Sequence, residues 1–181
     1  MNKVFEIIEA CKIFKFNEKK YRIMIHPQSY VHSIIRFKNG LIKMILHNTD
    51  MKIPISNTLY GRKNYVSNVK KIDSKILSKM SFQNVSAKRF PSTKLISRCL
   101  NLGLLTPTIV NASNEILVNL FLAEKIDFLD IVETINKIFK DKDFKKYATR
   151  KPKSIKDIQI TDNWARLKFL SLCVRKFFMR D

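Results

Sequence analysis

The sequence predicts an α+β protein, in which a helix and a β-hairpin or small sheet come first and an α-helical bundle follows. Three observations predict it. Two apolar runs within residues 31–46 flank Asn39-Gly40, a dipeptide suited to a tight turn. Beyond Pro91, apolar residues recur every three or four positions between capping residues and a stop glycine. The 45% hydrophobic content, with 13 Phe and only 3 Gly, then supplies enough apolar surface for an ordered core. The boundaries that follow are 1–60 for the first part, 61–90 for a linker and 91–181 for the helical part. No internal repeat is visible.

Residues 1–16 read as an amphipathic helix whose stripe is Val4, Ile7, Ile8, Cys11 and Phe14. Residues 21–25 read as a short strand ending at His26-Pro27-Gln28-Ser29. The hairpin over 31–46 needs positive φ at its turn, which Asn39-Gly40 would supply. Pro54 and the polar stretch 61–71 change the regime, and no period persists to Arg89. A partly extended linker is expected there. Residues 94–102 make a short helix, with Gly103 where a C′ glycine would stop it. Thr106 reads as an N-cap with Pro107 at the first helical position. That helix turns Ile109, Ala112, Ile116, Leu117, Leu120 and Phe121 to one side. Asp127 caps the next, with Phe128, Ile131, Val132, Ile135 and Ile138 as its stripe. Residues 140–154 read as a charged connector. Thr161 or Asp162 then caps a last helix facing Trp164, Leu167, Leu170, Val174 and Phe177 inward. Helices this short hold together only by burying their stripes against each other.

A formal charge of +20 attracts polyanions. Lysine nonetheless outnumbers arginine several-fold and is scattered along every segment, densest over residues 137–156. Bidentate reading of bases is arginine chemistry, and no aromatic–basic stacking platform is apparent. The pattern reads as a solvated basic surface, and nucleic acid is not the expected partner. No apolar run approaches the ~20 residues that span a bilayer. The N-terminus carries Glu6 and no small-residue cleavage site, unlike a secretory signal. Cys11, Cys99 and Cys173 fit no zinc spacing and read as buried free thiols of a reducing compartment.

No Gly-rich phosphate loop, nucleophile elbow or H-E-x-x-H motif occurs, and three glycines are too few for a dinucleotide fold. The spacings of His26, His32 and His47, six and fifteen residues, suit no common metal site. Three clusters remain. Asn2, Lys3 and Glu6 lie at the first turn of a helix, where unbonded N–H groups and the positive dipole end favour an anion. Together they could hold a phosphate and present one metal ligand; an ordinary solvated helix start is the plainer account. His26-Pro27-Gln28-Ser29 with His32-Ser33 ends a strand and could line a cleft, or serve structural hydrogen bonds. Asp50-Met51 with Pro54 could meet a ligand, although methionine is more often a gap-filler.

Read together and in order, these pieces resemble one family. Met1-Asn2-Lys3-x-x-Glu6-x-Ile8-Glu9-Ala10, Ile25-His26-Pro27-Gln28-Ser29-x-x-His32-Ser33 and Asp50-Met51-x-x-Pro54-Ile55 form its first part. Phe90-Pro91-x-x-Lys94-Leu95, Asn111-Ala112-x-Asn114-Glu115-Ile116 and Phe121-Leu122-Ala123 leading to Phe128-x-Asp130-Ile131 form its second. The chain thereby resembles, over nearly all its length, the C-terminal portion of 1-deoxy-D-xylulose 5-phosphate reductoisomerases of the non-mevalonate isoprenoid pathway. Each piece is weak alone; collinear, they are specific.

The resemblance implies NADPH- and divalent-metal-dependent (Mg²⁺, Mn²⁺ or Co²⁺) rearrangement and reduction of 1-deoxy-D-xylulose 5-phosphate to 2-C-methyl-D-erythritol 4-phosphate. It makes residues 1–60 the end of a catalytic domain and 91–181 a supporting helical domain. By matching positions, Asn2, Lys3 and Glu6 bind substrate, Glu6 is one of three acidic metal ligands, His26 is a catalytic-site residue, and Met51 lies near the nicotinamide. A homodimer in the cytoplasm, or in a plastid if the source is eukaryotic, is also implied, with no membrane attachment. One departure is Val4, where the family has glycine; a branched side chain there is expected to crowd the substrate end of the helix. The other is extent. The dinucleotide domain, two acidic ligands, phosphate-binding serines and a lid are expected upstream of Met1, which would be internal to a longer ancestor. Alone, the chain is expected to be inert, with apolar surface exposed on its first helix. Two alternatives are a basic nucleic-acid-binding protein and an interaction or dimerisation module, each on a decayed scaffold.

Overall fold

A computed structural model of the chain describes the backbone of residues 1–61 and 72–177, with side chains described through residue 172. Two compact units emerge, Met1–Arg22 with Ser86–Asp181, and Ile23–Val85. The first unit is therefore discontinuous in sequence.

In the first unit, α1 (Asn2–Phe14) buries Val4, Ile8 and Cys11. It packs on α4 (Leu95–Asn101), which buries Leu95 and Cys99. Phe14 is not part of the stripe; it is 63% exposed, close to Ile13 and Phe16, so the expected apolar surface is present at this end of the helix. The bundle is centred on α5 (Thr106–Leu122), which contacts α4, α6 (Phe128–Ile138), α7 (Phe144–Ala148) and α8 (Ile155–Phe177). Its Ile109, Val110, Ala112 and Leu117 are wholly buried, as are Ile135 and Ile138 of α6 and Phe169 of α8. Asp127 precedes α6 as expected, its own N–H donating to Asp130 Oδ2 at 3.2 Å. Gly103 follows α4 with φ +147°, and a Cβ there would meet the Ala148 carbonyl oxygen at 2.3 Å. Only glycine fits this junction, where Leu105 N–H donates to the same carbonyl at 3.0 Å.

Four expectations change here. Thr106 is the first helical residue rather than the cap, and its Oγ1 is buried without a partner among the described residues. Phe128 is 65% exposed, so the α6 stripe is Ile131, Thr134, Ile135 and Ile138. The charged connector contains α7, because Phe144 and Ala148 bury four residues apart while the lysines stay outside. Finally, α8 begins at Ile155 and its inner face is Asp157, Thr161, Ala165 and Phe169. Leu167 and Leu170 face solvent, and Trp164 is half-buried against Tyr147, ring centroids 4.4 Å apart. The side chains of Val174 and Phe177 lie outside those described. Apolar periodicity misjudged α8 because half of its inner face is polar. Thr161 fits by donating to Asp157 O at 3.1 Å, a bond within the helix that leaves no polar group orphaned.

Asp157 starts α8 through several bonds. Its Oδ2 accepts from Lys153 N–H at 2.9 Å and Ser154 N–H at 3.1 Å, and Oδ1 pairs with Arg150 at 2.6 Å. The Lys153 amide first, and the Arg150 guanidinium after it, outweigh desolvation and hold this carboxyl below the ordinary carboxylate range. A depressed folded-state pKa means stability present above the unfolded value and lost as pH falls through the folded one. Asp157→Asn should therefore lower the melting temperature at neutral pH, and the gap from the parent should narrow as pH falls below the ordinary carboxylate range. Thermal melts of both proteins across an acid pH series check it. Nearby, Arg166 ties α5 to α8 by donating to Asp162 Oδ2 at 2.6 Å and to Glu115.

The second unit has no fully buried residue among those described. Its β2 (Val31–Arg36) and β3 (Ile42–Leu46) form the expected antiparallel hairpin, with Arg36 opposite Ile42 and a bulge at His32. The turn is longer than a two-residue one. Gly40 alone has positive φ, +88°, while Asn39 instead accepts from Leu41 N–H through its side chain at 3.1 Å. The strand expected over 21–25 shortens to β1 (Met24–Ile25). A helix that periodicity did not reveal, α2 (Lys52–Tyr60), follows the hairpin; Pro54 sits in its first turn, where proline is tolerated. Within the stretch expected to be linker, α3 (Ser74–Leu77) is capped by Asp73, and β4 (Gln83–Asn84) pairs antiparallel with β1. Residues 62–71 of that stretch lie outside the described residues. Among the described residues, no helix is long and apolar enough to cross a membrane.

Candidate functional site

The sequence-predicted residues fall into two groups, one in each unit. Asn2, Lys3 and Glu6 sit together on the exposed side of the first turns of α1. Lys3 Nζ pairs with Glu6 Oε2 at 2.5 Å, both side chains more than half exposed. Nothing caps the helix from a side chain; the Met1 carbonyl accepts from Val4 N–H at 2.8 Å and Phe5 N–H at 3.3 Å. The tip therefore presents a lysine, an amide and the positive dipole end to solvent, with one carboxylate alongside. Val4 does not crowd this surface. It is 1% exposed and belongs to the core with Leu95 and Cys99, so the α1 face it occupies is the opposite of the one carrying Lys3 and Glu6. A branched residue is absorbed there by packing.

His26, in the second unit, immediately follows β1. Its Nδ1 lies 2.9 Å from the Ser81 carbonyl oxygen, and its ring stacks on Phe82 with centroids 4.8 Å apart and an interplanar angle of 19°. Its Nε2 is buried without a hydrogen-bond partner among the described residues. Gln28 Nε2 donates to Lys79 O at 2.9 Å and Ser81 Oγ at 3.2 Å, and its Oε1 accepts from Ser81 N–H at 3.3 Å. Ser29 turns the chain with φ +59°. His32 stacks on His47, centroids 3.7 Å apart, and its Nε2 meets the His47 carbonyl oxygen at 3.1 Å. Those two histidines are tied to each other and to backbone. Met51 is 60% exposed just before α2, where Asp50 Oδ1 accepts from Lys52 N–H.

Ser81 and Phe82 went unnoticed in the sequence. The one available signal was the alternation of Met80 and Phe82 with Ser81 and Gln83, too short to stand out as a strand.

Glu6 has the hard oxygen chemistry that a divalent cation such as Mg²⁺ requires, but Mg²⁺ takes about six oxygens in near-octahedral geometry. Among the described residues, no three His, Cys, Asp or Glu side chains gather to hold a metal. These residues do not form a Mg²⁺ site by themselves. Cys11 and Cys99 are free and buried; burial pushes both thiols up, Cys99 to about 12, so neither is poised as a nucleophile.

Residues 46–168 match the family described as the DXP reductoisomerase C-terminal domain. The chain is 42% identical over 174 residues to 1-deoxy-D-xylulose 5-phosphate reductoisomerase of Pelagibacter ubique, covering 96% of this chain and 45% of that protein. It is 34% identical to the Zymomonas mobilis enzyme over 95% of this chain and 43% of that one. The solved structure of the Zymomonas mobilis enzyme in complex with NADPH superposes at a TM-score of 0.83 with 34% identity, over 95% of this chain and 44% of that chain. A structure of DOX-P reductoisomerase with NADPH, fosmidomycin and magnesium superposes at 0.88 with 30% identity, covering 95% and 43%. The chain spans a little under half the length of the relatives it matches.

Proposed function

This chain belongs to the DXP reductoisomerase C-terminal domain family, and from that premise we propose that it supplies the C-terminal portion of a 1-deoxy-D-xylulose 5-phosphate reductoisomerase. The exposed tip of α1 carries the reading. Lys3 and Asn2 there suit an anionic sugar phosphate, and Glu6 offers one oxygen ligand to a divalent metal whose other ligands come from outside these 181 residues. NADPH is likewise held mainly by residues outside this chain, with Met51 flanking the nicotinamide and His26 lining the substrate pocket. Residues 1–60 contribute the site, 61–90 connect while lending Ser81 and Phe82 to His26, and 91–181 act as support. The assembled enzyme works in the cytoplasm as a homodimer.

The test is complementation. The purified chain, given substrate, NADPH and Mg²⁺, should oxidise no NADPH above background. Co-expression with the N-terminal half of a related reductoisomerase should restore metal-dependent oxidation, in an assembly that sediments with two copies of each part. Turnover by the isolated chain would overturn the reading, as would a stable assembly with no activity.

A further inference from the structure

We infer that Gln28, Ser81 and Phe82 are positioning residues for His26, holding its ring in the Nδ1–H tautomer so that Nε2 serves as a hydrogen-bond acceptor for a substrate hydroxyl. This deepens the proposed function and rests on His26 lining that substrate pocket.

A backbone carbonyl can only accept, so the nitrogen 2.9 Å from the Ser81 oxygen must carry the proton. A neutral imidazole has one N–H, and Nε2 is thereby left with its lone pair. Flipping the ring would set a carbon against the Ser81 carbonyl and lose the bond. Phe82, stacked at 4.8 Å, opposes that rotation from one face. Gln28 fixes the carbonyl itself. Its amide grips the Lys79 oxygen, the Ser81 hydroxyl and the Ser81 N–H, so one side chain, two residues from His26, sets the path of the segment whose carbonyl orients the ring. The antiparallel pairing of Ile25 with Gln83 brings both segments into register. What results is a buried acceptor without a protein donor among the described residues. Buried polar atoms are ordinarily paired. A ligand rich in hydroxyls, such as a phosphorylated keto sugar, brings the complementary donor; a carboxylate or phosphate oxygen does not.

The experiment is long-range ¹H–¹⁵N correlation of the histidine rings in the full chain at about pH 8, above the range of a free imidazole, with His26 assigned by its loss in His26→Gln. The parent should give a single Nδ1–H pattern for His26. Gln28→Ala and Phe82→Leu should convert it to a mixture of tautomers while the amide spectrum stays folded, and Phe82→Tyr should restore the single pattern. An Nε2–H ring in the parent, or an unchanged pattern in both folded variants, overturns the positioning. In the complemented enzyme, Gln28→Ala and Phe82→Leu should lower kcat/KM ~10-fold or more by misplacing the acceptor. The expected tautomers combined with a kcat/KM indifferent to His26→Gln would leave the positioning standing and overturn the assignment of His26 to the substrate pocket, and with it the acceptor role.

Discussion

Glu6→Gln, introduced into the complemented enzyme, should cut kcat/KM by roughly 10²- to 10³-fold and raise the Mg²⁺ concentration needed for half-maximal activity. The amide keeps the shape and one acceptor oxygen but removes the charge that a hard cation selects. Loss of several kcal/mol of metal-linked stabilisation at ~1.4 kcal/mol per decade gives that range. Stability should hardly move. The Lys3–Glu6 pair is exposed on both sides, and such pairs contribute about 0–1 kcal/mol. The two magnitudes separate a ligand from a surface ion pair: a large kinetic loss with an unchanged melting temperature supports the assignment. An unaltered Mg²⁺ requirement would remove Glu6 from the metal site.

On the stability side, Phe169→Ala should be the most damaging single change in the bundle. Phe169 has no exposed surface and lies in the core formed with α5 and α6. Truncating a buried phenylalanine removes its transfer free energy and leaves a cavity, costing ~3–5 kcal/mol. Against a typical total of ~5–15 kcal/mol, this brings the first unit close to unfolding at growth temperature. Leu167→Ala on the same helix should change stability by less than ~0.5 kcal/mol, because Leu167 is 69% exposed. Urea midpoints of the two variants decide which face of α8 is inside. Equal effects would contradict the register described for this helix.

That register shows where sequence reasoning reached its limit. Elements with an unbroken apolar stripe were legible. α1, α5 and α6 run close to their expected spans, and the hairpin pairs around the expected turn. The misreadings of α2, α7 and α8 share a cause. The inner face of α8 is half polar, with Asp157 and Thr161 satisfied by local bonds, so its hydrophobic pattern points to the wrong side. α2 buries none of its residues, and α7 is five residues long amid lysines, so neither gives a periodic signal. For the candidate site, Asn2, Lys3 and Glu6 could be placed on one helix tip from spacing alone. The surroundings of His26 could not, because Ser81 and Phe82 reach it only through a two-residue strand pairing made across the intervening chain.

The docking of α1 on α4 bears on how this protein is made. On a ribosome, α1 emerges well before α4, with roughly sixty residues of the second unit synthesised between them. Thirteen residues are too few for a helix to persist in water without a partner. Lys3 and Glu6 therefore acquire their fixed spacing only after residues far downstream have condensed around Leu95 and Cys99.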